Sequence, residues 1–95
     1  MRVSFHPRAN EEVDEAQAWY EERSLLAAAG FLQELSSAVR RIGEAPDRYP
    51  VAMHETRRVV LERFPFNIFY RVSASEVVVV ALAHQKRRPG YWADR

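Results

Sequence analysis

The chain has 95 residues, 47% of them hydrophobic and 28% charged, with a formal net charge of +1. That is enough for one globular domain with a single core. The absence of cysteine excludes disulfides, thiolate metal sites and thiol catalysis. No stretch reaches the 18 apolar residues of a membrane span and the N-terminus carries no signal-peptide core, so a cytoplasmic protein with no membrane association is expected.

Val3-Ser4-Phe5 alternates and reads as a short strand, which His6-Pro7 breaks. Proline is tolerated in the first helical turn, where its missing N–H is not needed, so a helix is predicted from here to about Arg23. Glu11, Glu12, Asp14 and Glu15 sit early in it, where the helix dipole favours negative charge. Ala9, Val13, Ala16 and Tyr20, with Trp19 beside them, recur at helical spacing. Ser24 can cap a second helix, whose stripe is Ala28, Phe31, Leu32, Leu35, Ala38, Val39 and Ile42. Gly30 weakens that helix by about 1 kcal/mol relative to alanine, a loss that close packing against the first helix would offset. Ala45-Pro46 stops it, because a residue before proline avoids the helical region. The two helices form an antiparallel hairpin.

A loop from Pro46 to Thr56 follows, with Tyr49 as a candidate anchor. Three strands are then predicted: 57–63, 66–72 and 76–83. In the second, Phe66, Ile68, Tyr70 and Val72 share one face, with Asn67, Phe69 and Arg71 on the other. The third is almost wholly apolar, as a central strand buried on both sides would be. Ser73-Ala74-Ser75 is a hairpin-length link. The fold class is therefore α+β, in the order β-α-α-β-β-β. A helical hairpin packs on one face of a mainly antiparallel four-stranded sheet, all within one domain spanning 1–95. The opposite sheet face, beneath the tail from His84 to Trp92, is expected to be open and is the candidate site.

Charge divides along the chain. Residues 1–55 hold ten acids and six bases, whereas residues 56–95 hold three acids and eight bases. A basic C-terminal half suits a polyanion or an acidic partner; a helix-rich half that simply carries more glutamate gives the same split. The chain has no glycine-rich phosphate loop, no His-Glu-x-x-His and no nucleophile elbow. His6, His54 and His84 are too far apart to suggest a metal site, and no cofactor is expected. Metal-free RNA cleavage needs a base, cations around the phosphorane and an acid. His84 offers a base or acid, Arg71, Lys86, Arg87 and Arg88 a clamp, and Tyr91 a second proton donor. Tyr91 and Trp92 can stack on bases or fold back as an apolar latch. Arg57, Arg58 and Arg63 are either a solvated strand face or partner-facing.

Several of these residues together resemble a known family. Phe5-His6-Pro7-Arg8-Ala9, Trp19-Tyr20, then Phe31, Leu35 and Ile42, and Pro46 to Pro50 are similar to RelE/ParE toxins of type II toxin–antitoxin systems. The densest match runs from Arg57-Arg58 through Phe64-Pro65-Phe66, Ile68 and Tyr70-Arg71 to Ala83-His84 and Arg88-Pro89-Gly90-Tyr91-Trp92. The resemblance implies a toxin neutralised by a cognate antitoxin in a hetero-oligomer. It leaves two targets: ribosome-dependent cleavage of mRNA, as in RelE-like members, or inhibition of DNA gyrase, as in ParE-like members. RelE-like nucleases carry an arginine where this chain has Asn67, and lysines where it has Arg58 and Val60. The ending Arg88-Pro89-Gly90-Tyr91-Trp92 looks more like the ParE-like branch, so gyrase inhibition is favoured. A His84–Tyr91 pair keeps the nuclease alternative, in which His84, Arg71, Lys86, Arg88 and Tyr91 would be catalytic. Arg57, Arg58, Arg63, Arg87, Arg88, Tyr91 and Trp92 are the candidates for binding the target or the antitoxin. A non-toxic binding module is the third reading.

Overall fold

The computed structural model describes all residues from Met1 to Arg95. Strand β1 (Arg2–Phe5) leads into helix α1 (Pro7–Arg23) and helix α2 (Leu25–Glu44), then strands β2 (Arg57–Val60), β3 (Phe66–Val72) and β4 (Glu76–His84). The elements are those expected from periodicity and breakers, in the same order.

Local chemistry explains the helix ends. The His6 imidazole Nδ1 accepts from the Arg8 N–H at 3.1 Å and caps α1 ahead of Pro7. Ser24 is the whole linker between the helices. Its N–H donates to Tyr20 O at 2.7 Å, and its Oγ accepts from the Ala27 N–H at 3.1 Å. One extended residue thus closes one helix and opens the next. Ala45, forced out of helical geometry by Pro46, ends α2, and a single 3-10 turn covers Pro46–Arg48.

The sheet order is β1-β4-β3-β2, with β1 parallel to β4 and the other pairs antiparallel. The sheet is mainly antiparallel, as expected, and its one parallel pair arises because β1 reaches β4 only by the crossover through both helices. The hairpin packs on the face bearing Ile68, Tyr70, Val77, Val79 and Leu82, against Ala9, Ala16, Phe31, Leu35, Ala38 and Ile42. Tyr20, Phe31, Phe64 and Phe66 form an aromatic cluster at one end of that core.

Three expectations need correction. β2 stops at Val60, not at residue 63, because the Glu62 and Arg63 N–H groups turn toward the Glu34 carboxylate of α2, at 2.6 and 3.2 Å. Gly30 faces the Phe64 ring, 3.5 Å from where a Cβ would stand, so it packs under the β2–β3 turn and not against α1. Leu32, placed on the apolar stripe, is 42% exposed.

Register matters for the site. Phe69 pairs with Ala81 but Tyr70 pairs with Val79, so Val80 is an extra residue on β4. This bulge turns two consecutive side chains, Val80 and Ala81, to the face away from the helices. β1 ends opposite Val79, so the outer edge of β4 from Val80 to His84 has no strand beside it.

Phe31→Ala should cost about 3–5 kcal/mol by emptying the junction of hairpin and sheet, whereas Leu32→Ala should cost under about 1 kcal/mol. Urea titration of the two variants measures both.

Candidate functional site

The C-terminal tail folds back and covers the sheet face that the helices leave bare. Trp92 is 1% exposed, its ring stacked on Phe69 at 3.8 Å, among Val80, Ala81 and Ala83. The face expected to be open is thus partly closed by the chain itself. The bulge at Val80 helps make that apolar seat. Of the two placements open to Tyr91 and Trp92, the structure has the folded-back one.

Two side chains fasten the tail. The first is Glu12, whose side chain is 11% exposed. Its Oε1 accepts from the Leu82 N–H at 3.1 Å, on the bare edge of β4, and from Arg95 Nη1 at 2.8 Å. Its Oε2 accepts from the Tyr91 hydroxyl at 2.6 Å, and Arg87 Nη1 lies 3.7 Å away. Arg95 Nη1 also donates to the Val80 carbonyl at 3.0 Å, so the edge that β1 leaves open is closed by an ion pair. Arg87 stacks on the Tyr91 ring, 3.6 Å from its centroid.

The second fastener is Arg71. It donates to the carbonyls of His54 at 3.2 Å, of Ala93 at 3.3 Å and of Arg95. His54 and Glu55 both adopt positive φ, at 57° and 60°, a left-handed pair that only surrounding contacts can hold. Thr56, buried below them, donates from Oγ1 to Met53 O at 2.6 Å. Gly90 turns the tail at φ +86°, and a Cβ there would stand 3.1 Å from His54 Nε2. Both the torsion and the close approach call for glycine. The buried indole Nε1 of Trp92, like the Gln17 Oε1 of α1, has no hydrogen-bond partner.

The candidate site residues therefore separate into two classes. Arg57 is tied to Tyr49 O at 2.6 Å and to Asp47, Arg63 to Glu34 and Gly30 O, Arg71 to three carbonyls, and Arg87 to Glu12. Arg58, Lys86 and Arg88 are exposed, and their side chains meet no acid or carbonyl of the chain. His84 accepts from the Lys86 N–H at 3.1 Å through Nδ1 and rests edge-on against Phe66. Burial, then the hydrogen bond to Glu12, holds the Tyr91 phenol well above its ordinary value. No three His, Asp or Glu side chains converge as a metal site would require.

His84 lies between two clefts. One, of about 360 Å³, runs between α1 and the end of β4, lined by Glu15, Ala16, Trp19, Tyr20 and Phe66. The other, of about 330 Å³, lies on the tail-covered face with Arg58, Asn67, Phe69, Arg87 and Trp92 around it. Asn67 lines the second and its Oδ1 accepts from Gln85 Nε2 at 3.3 Å. Sequence reasoning missed Glu12 and Arg95. Glu12 looked like one more acid of an exposed helix turn, and nothing local marks the residues that meet it.

Residues 3–89 match the family described as ParE toxin of type II toxin-antitoxin system, parDE. A Sinorhizobium fredii protein (strain NBRC 101917 / NGR234) named "Putative toxin Y4kP" is 33% identical over 87 residues, covering 90% of this chain and 91% of that one. Among solved structures, a chain titled "Chromosomal ParDE TA system from P. aeruginosa" superposes with a TM-score of 0.76. It is 19% identical, over 88% of this chain and 95% of that one, and so is similar in fold. No helix is long and apolar enough to cross a membrane.

The Tyr91 phenol gives the tail a pH signature. Unfolded, it loses its proton near pH 10; folded, it keeps it to higher pH. The unfolded state then binds fewer protons, so its contribution to stability is full below about pH 10 and is lost as pH rises further. Tyr91→Phe should lower stability at pH 7 by roughly 1–2 kcal/mol and flatten the alkaline slope. Thermal denaturation from pH 7 to 11 measures both.

Proposed function

The chain belongs to the ParE toxin family of type II toxin–antitoxin systems, and from that premise we propose that it arrests growth by inhibiting DNA gyrase. In this reading it acts by binding, without chemistry of its own, in the cytoplasm, and a cognate antitoxin neutralises it. The observation that carries the reading is that the groups a nuclease would use are committed elsewhere. Arg71 serves three carbonyls of the loop and tail, and Asn67 stands where a cationic clamp would be needed. Tyr91, a phenol held above its ordinary value and bound to a carboxylate, is a poor proton donor to a leaving oxygen. Loss of a single oxyanion donor costs about 3–4 kcal/mol of transition-state stabilisation.

Recognition falls to the unpaired cations. Arg58, Lys86 and Arg88 can meet the acids of an antitoxin segment or of the target, whereas Arg57 and Arg63 already have partners within the chain. Apolar anchors of the antitoxin have the cleft between α1 and β4 beside Trp19 and Phe66.

One observation favours the second reading, ribosome-dependent mRNA cleavage. His84, Arg58 and Arg87 surround one cleft, with Lys86 and Arg88 in the adjoining turn. In that case His84 is the base and Arg88 the clamp.

Purified toxin should inhibit supercoiling by gyrase, and Arg88→Ala should weaken the inhibition about tenfold, the loss of one charged contact. Full supercoiling at excess toxin would overturn the reading. In a translating extract transcripts should stay intact; cleavage that disappears in His84→Ala would establish the nuclease instead. Antitoxin association should slow in high salt more than dissociation quickens, as stopped-flow mixing would measure.

A further inference from the structure

Glu12 is the only acid of α1 turned into the protein, and it joins three things that are otherwise separate. It caps the Leu82 N–H on the bare edge of β4, pairs with Arg95 at the end of the chain, and accepts from Tyr91 in the tail. Arg87 is drawn to it as well, and stacks on Tyr91. Lys86 and Arg88 flank Arg87 in sequence and have no partner of their own. The same carboxylate thus lies against the segment that carries Lys86 and Arg88, with Arg87 between them 3.7 Å from it.

The tail it holds is not seated by packing alone. Trp92 fills its slot with an unpaired indole N–H, and the loop beneath it carries two left-handed residues. Each costs free energy that the polar fasteners must offset. We propose that Glu12 is the positioning residue of the recognition surface. It holds the segment from Arg87 to Arg95 in the pose that presents Lys86 and Arg88 as fixed cations, and its loss releases this segment while the α/β core stays folded. The inference rests on the gyrase reading, because it assigns those cations to target recognition. The core clusters divide along the same line. The helix-facing core contains no residue beyond Leu82, whereas the second cluster depends on Trp92.

Glu12→Gln separates the two tasks of the carboxylate. The amide oxygen can still cap Leu82, while the charge that holds Arg95 and Arg87 is gone. In a Trp19→Phe background Trp92 is the sole tryptophan and reports on the tail. The expected result for Glu12→Gln is unchanged far-UV circular dichroism and at least a threefold rise in acrylamide quenching of Trp92. The toxin concentration for half-inhibition of gyrase supercoiling should rise at least tenfold, with the same maximal inhibition. A merely structural defect would instead diminish the far-UV signal, and would raise the half-inhibition concentration only in proportion to the protein that has lost its fold. Adding Arg88→Ala to Glu12→Gln should cost no more than the larger single effect, since a released Arg88 no longer contributes.

If Glu12→Gln fails to fold, Arg95→Ala, which leaves the Leu82 cap intact, decides on the same readouts. Trp92 remaining shielded overturns the inference, as does an exposed Trp92 with undiminished potency. A wild-type protein that leaves gyrase untouched overturns the gyrase reading and this inference with it. A potent wild type matched by an equally potent Glu12→Gln overturns the inference alone.

Discussion

The near-buried carboxylate of Glu12 is the constraint on which the rest of the C-terminal half depends. A carboxylate withdrawn from water is tolerated only when its oxygens are fully engaged. Here both oxygens are used, by a backbone N–H, a phenol and a guanidinium. The short β1 creates the need. It pairs with β4 only to Val79, leaving the later edge of a central strand without a neighbour. A side chain from the second turn of α1 and one from the last residue of the chain complete that edge. The same contact keeps the edge from recruiting another strand.

Once the tail is anchored there, the meaning of the charge asymmetry changes. An acidic first half and a basic second half suggested an external polyanion, yet much of the difference is neutralised inside the molecule. Glu12 meets Arg87 and Arg95, Glu34 meets Arg63, and Asp47 meets Arg57. What remains for a partner is small and localised: Arg58 beside the tail-covered cleft, and Lys86 and Arg88 in the turn after β4. Three unpaired cations grouped at one end of the sheet suit recognition of a localised acidic surface better than non-specific attraction to a polyanion. That is the physical basis for the binding mechanism proposed above.

The tail also shows where stability has been given up. A buried indole donor without an acceptor, two adjacent left-handed residues and a glycine pressed against His54 all lie at the loop–tail contact. Arg71 counters them by gathering the carbonyls of both segments, so a residue that sequence alone offered as a phosphate clamp acts as an internal brace.

Element order, helix limits and the apolar character of β4 were legible in the sequence, because their causes are local. His6-Pro7, Ser24 and Ala45-Pro46 act within one turn of their own position, and periodicity is read over a few residues. The resemblance to the toxin family was legible for a similar reason, being carried by short runs such as Arg88-Pro89-Gly90-Tyr91-Trp92. The roles of the candidate site residues were not. Whether Arg71 or Arg88 is free, whether Trp92 is buried, and whether Glu12 faces water depend on partners far along the chain. Glu12 meets its three hydrogen-bond donors across 70, 79 and 83 residues of sequence. The bulge at Val80, which points two successive side chains at Trp92, likewise exists only once β3 and β4 pair. A hydrogen bond across such a distance leaves no period, cap or breaker in the sequence, so only the folded chain decides which charges it keeps for itself and which it offers to a partner.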